Sequence, residues 1–167
     1  PAFNNVTSNL TVTAQYSMDT TYYTVTFKDY NGTVLKTEQV AEGTSATAPS
    51  NPSRDYYTFT GWTPAFTNIT ADLDVIAQYT PINYTITYAL GGSTAFPVTG
   101  TLSPTTYNIE TPTITYSTTA LTRNGYDIAA ITPNTIATGS TGAKTVTVTW
   151  TAKAYNITLN ANGGTGG

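Results

Sequence analysis

Asp72 and Asp74, one residue apart, are the closest carboxylate pair in the chain. Two carboxylates are all that a glycoside hydrolase needs for its acid and base. On a β-strand both would share the face opposite Leu73 and Val75, where charged groups ordinarily do no more than meet solvent. Residues 64–79 (PAFTNITADLDVIAQY) nearly repeat residues 1–16 (PAFNNVTSNLTVTAQY), and there Asn9 and Thr11 stand in place of the two aspartates. A pattern that survives the loss of both carboxylates does not use them for chemistry. Glu38 and Glu42, a second near pair, flank a turn. No catalytic residue is assigned, and the chain reads as a non-enzyme.

Other side chains invite weaker readings. Asp29-Tyr30-Asn31-Gly32 and Asp72-Leu73-Asp74 offer oxygen donors, but calcium gathers about six to eight oxygens and these fragments fall short. A hairpin turn at Asn31-Gly32 accounts for the first, and no metal site is assigned. A Lys–Asn isopeptide crosslink needs a buried lysine beside a carboxylic acid, whereas Lys28 and Lys144 fall on the polar phase of their alternations. Six Asn-x-Thr triplets, at Asn5, Asn9, Asn31, Asn68, Asn83 and Asn156, are glycan acceptors only in form, because a threonine-rich chain generates several by chance. Thirteen tyrosines with Trp62 and Trp150 could build a sugar-stacking platform. Both tryptophans lie on or beside an apolar strand phase, so core positions are expected for them. No cofactor is implied.

Composition removes whole classes of function. The chain of 167 residues has no His and no Cys, which excludes histidine base chemistry, disulfides and thiolate or imidazole metal sites. Charged residues make up 9% with a net charge of −3, and the six basic residues are scattered singly. Nucleic-acid binding calls for clustered Lys and Arg, so it is not expected. No apolar run approaches the roughly 20 residues that span a bilayer, so no membrane insertion is expected.

The elements that would position any site are strands. About forty threonines, with Tyr, Val and Ile, form a strand-favouring composition. Tyr23, Val25 and Phe27 alternate with Thr24, Thr26 and Lys28; Ile82 to Leu90 alternates in the same way; so do Tyr155, Ile157 and Leu159. Each segment has one apolar and one polar face, the pattern of a half-buried antiparallel strand. Each is followed by a pair that tolerates positive φ (Asn31-Gly32, Gly91-Gly92, Gly163-Gly164), which predicts three tight hairpins. Thr33–Val40 reads as a returning strand, and Pro49 and Pro52 predict an irregular crossing before the strand at Tyr57–Trp62.

The segments recur. Arg123-Asn124-Gly125-Tyr126 takes the place of Arg54-Asp55-Tyr56-Tyr57, and Val146, Val148 and Trp150 take the places of Val75, Ala77 and Tyr79. Unequal spacing of Tyr23, Tyr84 and Tyr155 predicts an insertion at 93–113 in the second copy. The expected organisation is a final strand of a preceding repeat (1–16), a linker (17–21), a first module (22–80), a longer second module (81–153) and the start of a further repeat (154–167). A chain that opens inside its own repeat is expected to be part of a longer array.

The run at 23–80, opening YTVTFKDYNGTVLKTE, centred on Arg54 with YTFTGW and closing AQY, resembles the Listeria–Bacteroides repeat family of internalin B B-repeat-like modules. Residues 84–153 resemble a longer variant through YTITYALGG, YNIETPTIT, RNGYD and TGSTGAKTVTVTW, without the glycine-tryptophan that usually follows the central tyrosine. The resemblance implies small β-grasp-like, ubiquitin-like modules with little helix, arranged as an elongated array. It implies an extracellular place on a bacterial cell surface, in an adhesin or internalin-like protein, with no catalytic residues to carry over. The expected role is a stalk or spacer whose partners are neighbouring repeats. The rival readings are binding of a host protein or glycan, and homotypic strand pairing through the segments at 1–16 and 154–167.

Overall fold

A computed structural model of the protein describes residues 4–159. All regular structure among them is β, with no helix, as the composition predicts. The chain forms two compact units, one comprising residues up to Pro52 with Thr60–Gln78, the other Ser53–Phe59 with the residues from Tyr79 onward.

The first sheet contains β1 (Tyr22–Lys28), β2 (Val34–Ala41), β3 (Tyr57–Thr63) and β4 (Leu73–Pro81) in the order β2-β1-β4-β3. The β1–β2 hairpin is antiparallel from Tyr22↔Ala41 to Lys28↔Val34, with a bulge at Phe27/Lys28. Its turn is the one expected at Asn31-Gly32: Gly32 has φ 86°, its N–H donates to Asp29 O at 2.9 Å, and Asp29 N–H donates to Thr33 O at 2.8 Å. β4 then runs parallel to β1, pairing Val25 with Leu73 and Phe27 with Val75.

Period-2 alternation places Val25, Phe27 and Val75 on one face, and all three are fully buried. Each contributes about 1.5–3 kcal/mol of transfer free energy. Val40, Ala46 and Ile69 complete the buried cluster, with Trp62, Phe66 and Leu73 packed against it. The rings of Trp62 and Phe66 meet Phe27 edge-on, with centroids 5.2 and 5.3 Å away. The Pro-broken crossing forms no helix, and it is held by Ala46 N–H to Phe66 O (2.9 Å) and by Thr47 N–H to Glu38 Oε1 (2.5 Å).

The second sheet repeats this plan and extends it. It is formed by β5 (Tyr84–Ala89), β6 (Val98–Gly100), β7 (Thr106–Tyr107), β9 (Leu121–Arg123), β10 (Tyr126–Thr132) and β12 (Lys144–Ala152). The order is β6-β9-β10-β12-β5-β7. The inner run β7-β5-β12-β10 matches β2-β1-β4-β3, again with the first and last strands parallel (Ile86↔Lys144, Tyr88↔Val146). A separate ladder joins β8 (Ile114–Thr115) to β11 (Thr135–Ile136). Ile86, Tyr107, Tyr116, Leu121, Ile136 and Val146 are among the buried residues of this core, and Trp150 packs against it.

Three expectations are corrected. Gly91-Gly92 does not close a hairpin on β5, whose antiparallel partner is β7, 16 residues beyond. Those glycines serve a close approach: a Cβ on Gly91 would lie 3.4 Å from Trp150 Cδ1 and Val148 O, and Trp150 Nε1 donates to Leu90 O at 2.7 Å. Residues 4–16 form no strand and are exposed. Their counterpart, β4, is a strand whose two edges pair with β1 and β3. Tyr155, Ile157 and Leu159 likewise form no strand and are at least 73% exposed. The expected turn at Gly163-Gly164 lies outside the described residues.

Candidate functional site

The feature that recurs most closely in side-chain detail is an arginine laid over aromatic rings. The residue before β3, Tyr56, and the residue before β10, Gly125, both have positive φ (67° and 75°). In the first case Tyr57 N–H closes the turn on Arg54 O at 3.1 Å. This turn folds Arg54 back over the strand's first ring, with its guanidinium carbon 3.5 Å from the Tyr57 centroid and 5.9 Å from that of Tyr79. Arg123 repeats the arrangement at 3.9 Å from Tyr126 and 6.0 Å from Trp150. The sequence alignment of Arg54 with Arg123 and of Tyr79 with Trp150 is therefore spatial as well. Stacks of this kind contribute about 0.5–1 kcal/mol when exposed.

Each stack is anchored further by groups of the second unit. Tyr57 Oη donates to Glu110 Oε1 at 2.7 Å, and this hydrogen bond pushes the phenol above its ordinary pKa, because the carboxylate accepts from the protonated form. Arg123 Nε donates to Phe96 O at 3.2 Å, and the Phe96 ring meets Tyr126 edge-on at 5.8 Å. A shallow pocket of about 180 Å³ is lined by Arg123, Tyr126, Asp127, Trp150 and Lys153 among others. Asp127 and Lys153 form an exposed ion pair at 3.3 Å. In each stack the arginine lies over a ring face, that of Tyr57 or Tyr126, on which a sugar could otherwise stack.

The carboxylates singled out by sequence have structural partners. Asp72 Oδ1 accepts Thr24 N–H at 2.7 Å, and Asp74 Oδ2 accepts from Lys28 Nζ at 2.5 Å. The second contact bridges β1 and β4 and the first joins β1 to the residue just before β4, around an open groove of about 360 Å³ lined by Thr24, Thr26 and Leu73 with the two aspartates. Glu38 accepts from Lys36 Nζ (2.8 Å) and Thr47 N–H, and Lys36 also donates to Thr47 O. Burial pushes the Glu38 carboxyl up, but these donors and the Lys36 charge outweigh it and hold the pKa below its ordinary value. Glu42 sits in the turn after β2 and is not brought to Glu38 as a pair. Among the described residues no group of three or more Asp or Glu is placed to hold a metal.

Lys28 is half-buried and engages the exposed Asp74 carboxylate, not a buried crosslinking site, and Lys144 begins β12 half-buried. All six Asn-x-Thr asparagines are exposed. Trp62 and Trp150 both pack on cores. The contributions of Glu110 and Phe96 were not foreseen, because both come from the insertion, whose partners lie far away in sequence.

A duplicated β1∥β4 core with a duplicated arginine turn defines a tandem-repeat β protein. Residues 23–81 match the family model of the Listeria-Bacteroides repeat domain, so the first module is a repeat of that family. A comparison with curated proteins gives no match. Among solved structures, the chain is similar to Streptococcal High Identity Repeats in Tandem (SHIRT) domains 3-4 from a cell surface protein. The identity is 15% and the TM-score 0.29, with 77% of this chain and 96% of that one covered.

Proposed function

We propose that this chain is a non-catalytic spacer segment of a bacterial cell-surface protein of the adhesin or internalin-like kind, acting outside the cell. The observation that carries this reading is the duplication itself: the same sheet order and the same parallel pairing recur in two sequence-related modules, the first a Listeria-Bacteroides repeat. The hairpin followed by a last strand parallel to the first supports a β-grasp-like description, with an irregular crossing where a helix would lie. Repetition of a fold without repetition of a reactive constellation is what a spacer requires, and the carboxylates that recommend themselves for chemistry are tied to backbone and lysine. In this reading the modules form an elongated array whose partners are further repeats.

One observation favours a second reading, homotypic pairing. Leu10, Val12 and Tyr16, in the copy of β4, and Tyr155, Ile157 and Leu159, in the copy of β1, expose alternating apolar side chains. Segments with this alternation can pair as strands with further modules of the same kind. Small-angle X-ray scattering over a concentration series separates the readings. The spacer predicts an elongated particle whose dimensions do not change with concentration. Growth in length with concentration would replace it with assembly, and a compact particle would contradict both.

A further inference from the structure

We infer that the parallel pair of first and last strands in each module is a tension clamp, built to resist force applied along the chain. Its biological use rests on the spacer reading; its geometry does not. In the first module the chain enters at the N-terminal end of β1 and leaves along β4, which is hydrogen-bonded parallel to β1 through Val25↔Leu73, Thr26↔Asp74, Phe27↔Val75 and Lys28↔Ile76. In a parallel pair the start of one strand and the finish of the other lie at opposite ends of the ladder. Pulling them apart drags the strands lengthwise past each other, so every rung is strained at once. The antiparallel neighbour behaves differently: Tyr22 faces Ala41 across β1 and β2, and force between those ends would open the ladder one rung at a time.

The clamp is protected from water and cross-braced. Val25, Phe27 and Val75, on the two paired strands, are all fully buried, so the rungs lie beside the driest part of the core. Lys28 to Asp74 ties the same two strands on the outer face, and Thr24 N–H to Asp72 ties β1 to the lead-in of β4. This gives the aspartates a role that neither catalysis nor calcium supplies. The second module repeats the pair through Ile86↔Lys144, Thr87↔Thr145, Tyr88↔Val146 and Ala89↔Thr147, with Val146 fully buried. There the place of the Thr26–Asp74 pair is taken by Thr87–Thr145, and no such ion pair spans the strands. The same geometry in two modules of divergent sequence indicates that the parallel pairing is what repetition preserves.

The chain contains no Cys, so introduced thiols give unambiguous points of attachment. Optical-tweezer unfolding of the full chain compares Thr21→Cys with Gln78→Cys, which pulls β1 against β4, and Thr21→Cys with Glu42→Cys, which pulls β1 against β2. All three positions are exposed. Forced unfolding reports the barrier out of the native state, so the two geometries probe one fold along two directions. The clamp predicts a rupture force several-fold higher for the first pair at the same loading rate. Adding Asp74→Asn should lower that force while leaving the β1–β2 force unchanged. Equal forces in the two geometries, or a stronger β1–β2 direction, would overturn the clamp. The scattering test above does not depend on these forces, so failure of the clamp and failure of the spacer reading are told apart.

Discussion

The two modules solve one packing problem with different side chains. In the first, the face shared by β1 and β4 is closed by Phe27, with Trp62 and Phe66 against its ring. In the second, Tyr88 stands at the register position of Phe27, pairing with Val146 as Phe27 pairs with Val75. Tyr88 meets Tyr116 edge-on at 5.8 Å, and its hydroxyl donates to Pro104 O at 2.5 Å. Counting five residues from the arginine-stacked tyrosine, Ile131 takes the place of Trp62 and is itself buried. The smaller aliphatic residue needs more surroundings, and these come from Leu102 and Tyr107 of the insertion and from Tyr116 and Leu121 just after it. The edges diverge as well: the eight-residue β2 is matched by a two-residue β7, while β9 and β6 extend the opposite side. What persists is the parallel central pair and the arginine turn. Edges and fillers vary around them.

The largest expected contrast lies in the two central rings. Phe27→Ala removes the ring on which Trp62 and Phe66 pack and should cost about 3–5 kcal/mol. Tyr88→Phe keeps the ring and loses only its hydrogen bonds, at about 1 kcal/mol. Urea unfolding followed through Trp62 and Trp150 in single-tryptophan backgrounds measures both. Comparable losses would mean that the two cores are not alternative solutions to one problem.

A smaller and opposite effect is expected at the turns. Tyr56 adopts a left-handed conformation that costs an L-residue roughly 1–2 kcal/mol, whereas its counterpart Gly125 does not carry that strain. Tyr56→Gly should therefore stabilise the protein by about 0.5–1 kcal/mol after the added chain entropy of glycine, and Gly125→Ala should destabilise it by a similar amount. Thermal melts read the sign. Destabilisation by Tyr56→Gly would show that the Tyr56 side chain, and not the turn, is what that position requires.

The smallest contrast depends on pH. The folded-state pKa of Glu38 lies below its ordinary value of 4.5, so its contribution is fully present above that value and fades as pH falls through the folded pKa. No counterpart of the Lys36–Glu38–Thr47 contact is formed by the short β7. Denaturant midpoints measured from pH 6 down to pH 3 should show a shallower acid loss in Glu38→Gln than in the parent. An unchanged slope would remove Glu38 from the account.

The recurring features were legible because they are local or repeated. Alternation at Tyr23–Lys28 and Tyr84–Ala89 identifies strands, and the doubled Arg-x-x-Tyr pattern locates the turn that carries each stack. Gly91-Gly92 misleads because two glycines look alike whether they make a hairpin or let a strand end pass close to Trp150. The parallel pairing of β5 with β12 joins residues nearly sixty positions apart, beyond the reach of any local pattern. The segments at residues 4–16 and 154–159 have the alternation of strands without partners, and alternation alone does not make a ladder. Pairing is a property of neighbours.

The measurement closest to the central claim is the strand register of the second module in solution, read from inter-strand nuclear Overhauser effects. If residues 84–152 repeat the core of the first module, Ile86 and Tyr88 will show parallel-ladder contacts to Lys144 and Val146, equivalent to those of Val25 and Phe27 with Leu73 and Val75. An antiparallel pattern between β5 and β12, or no contact between them, would contradict the account.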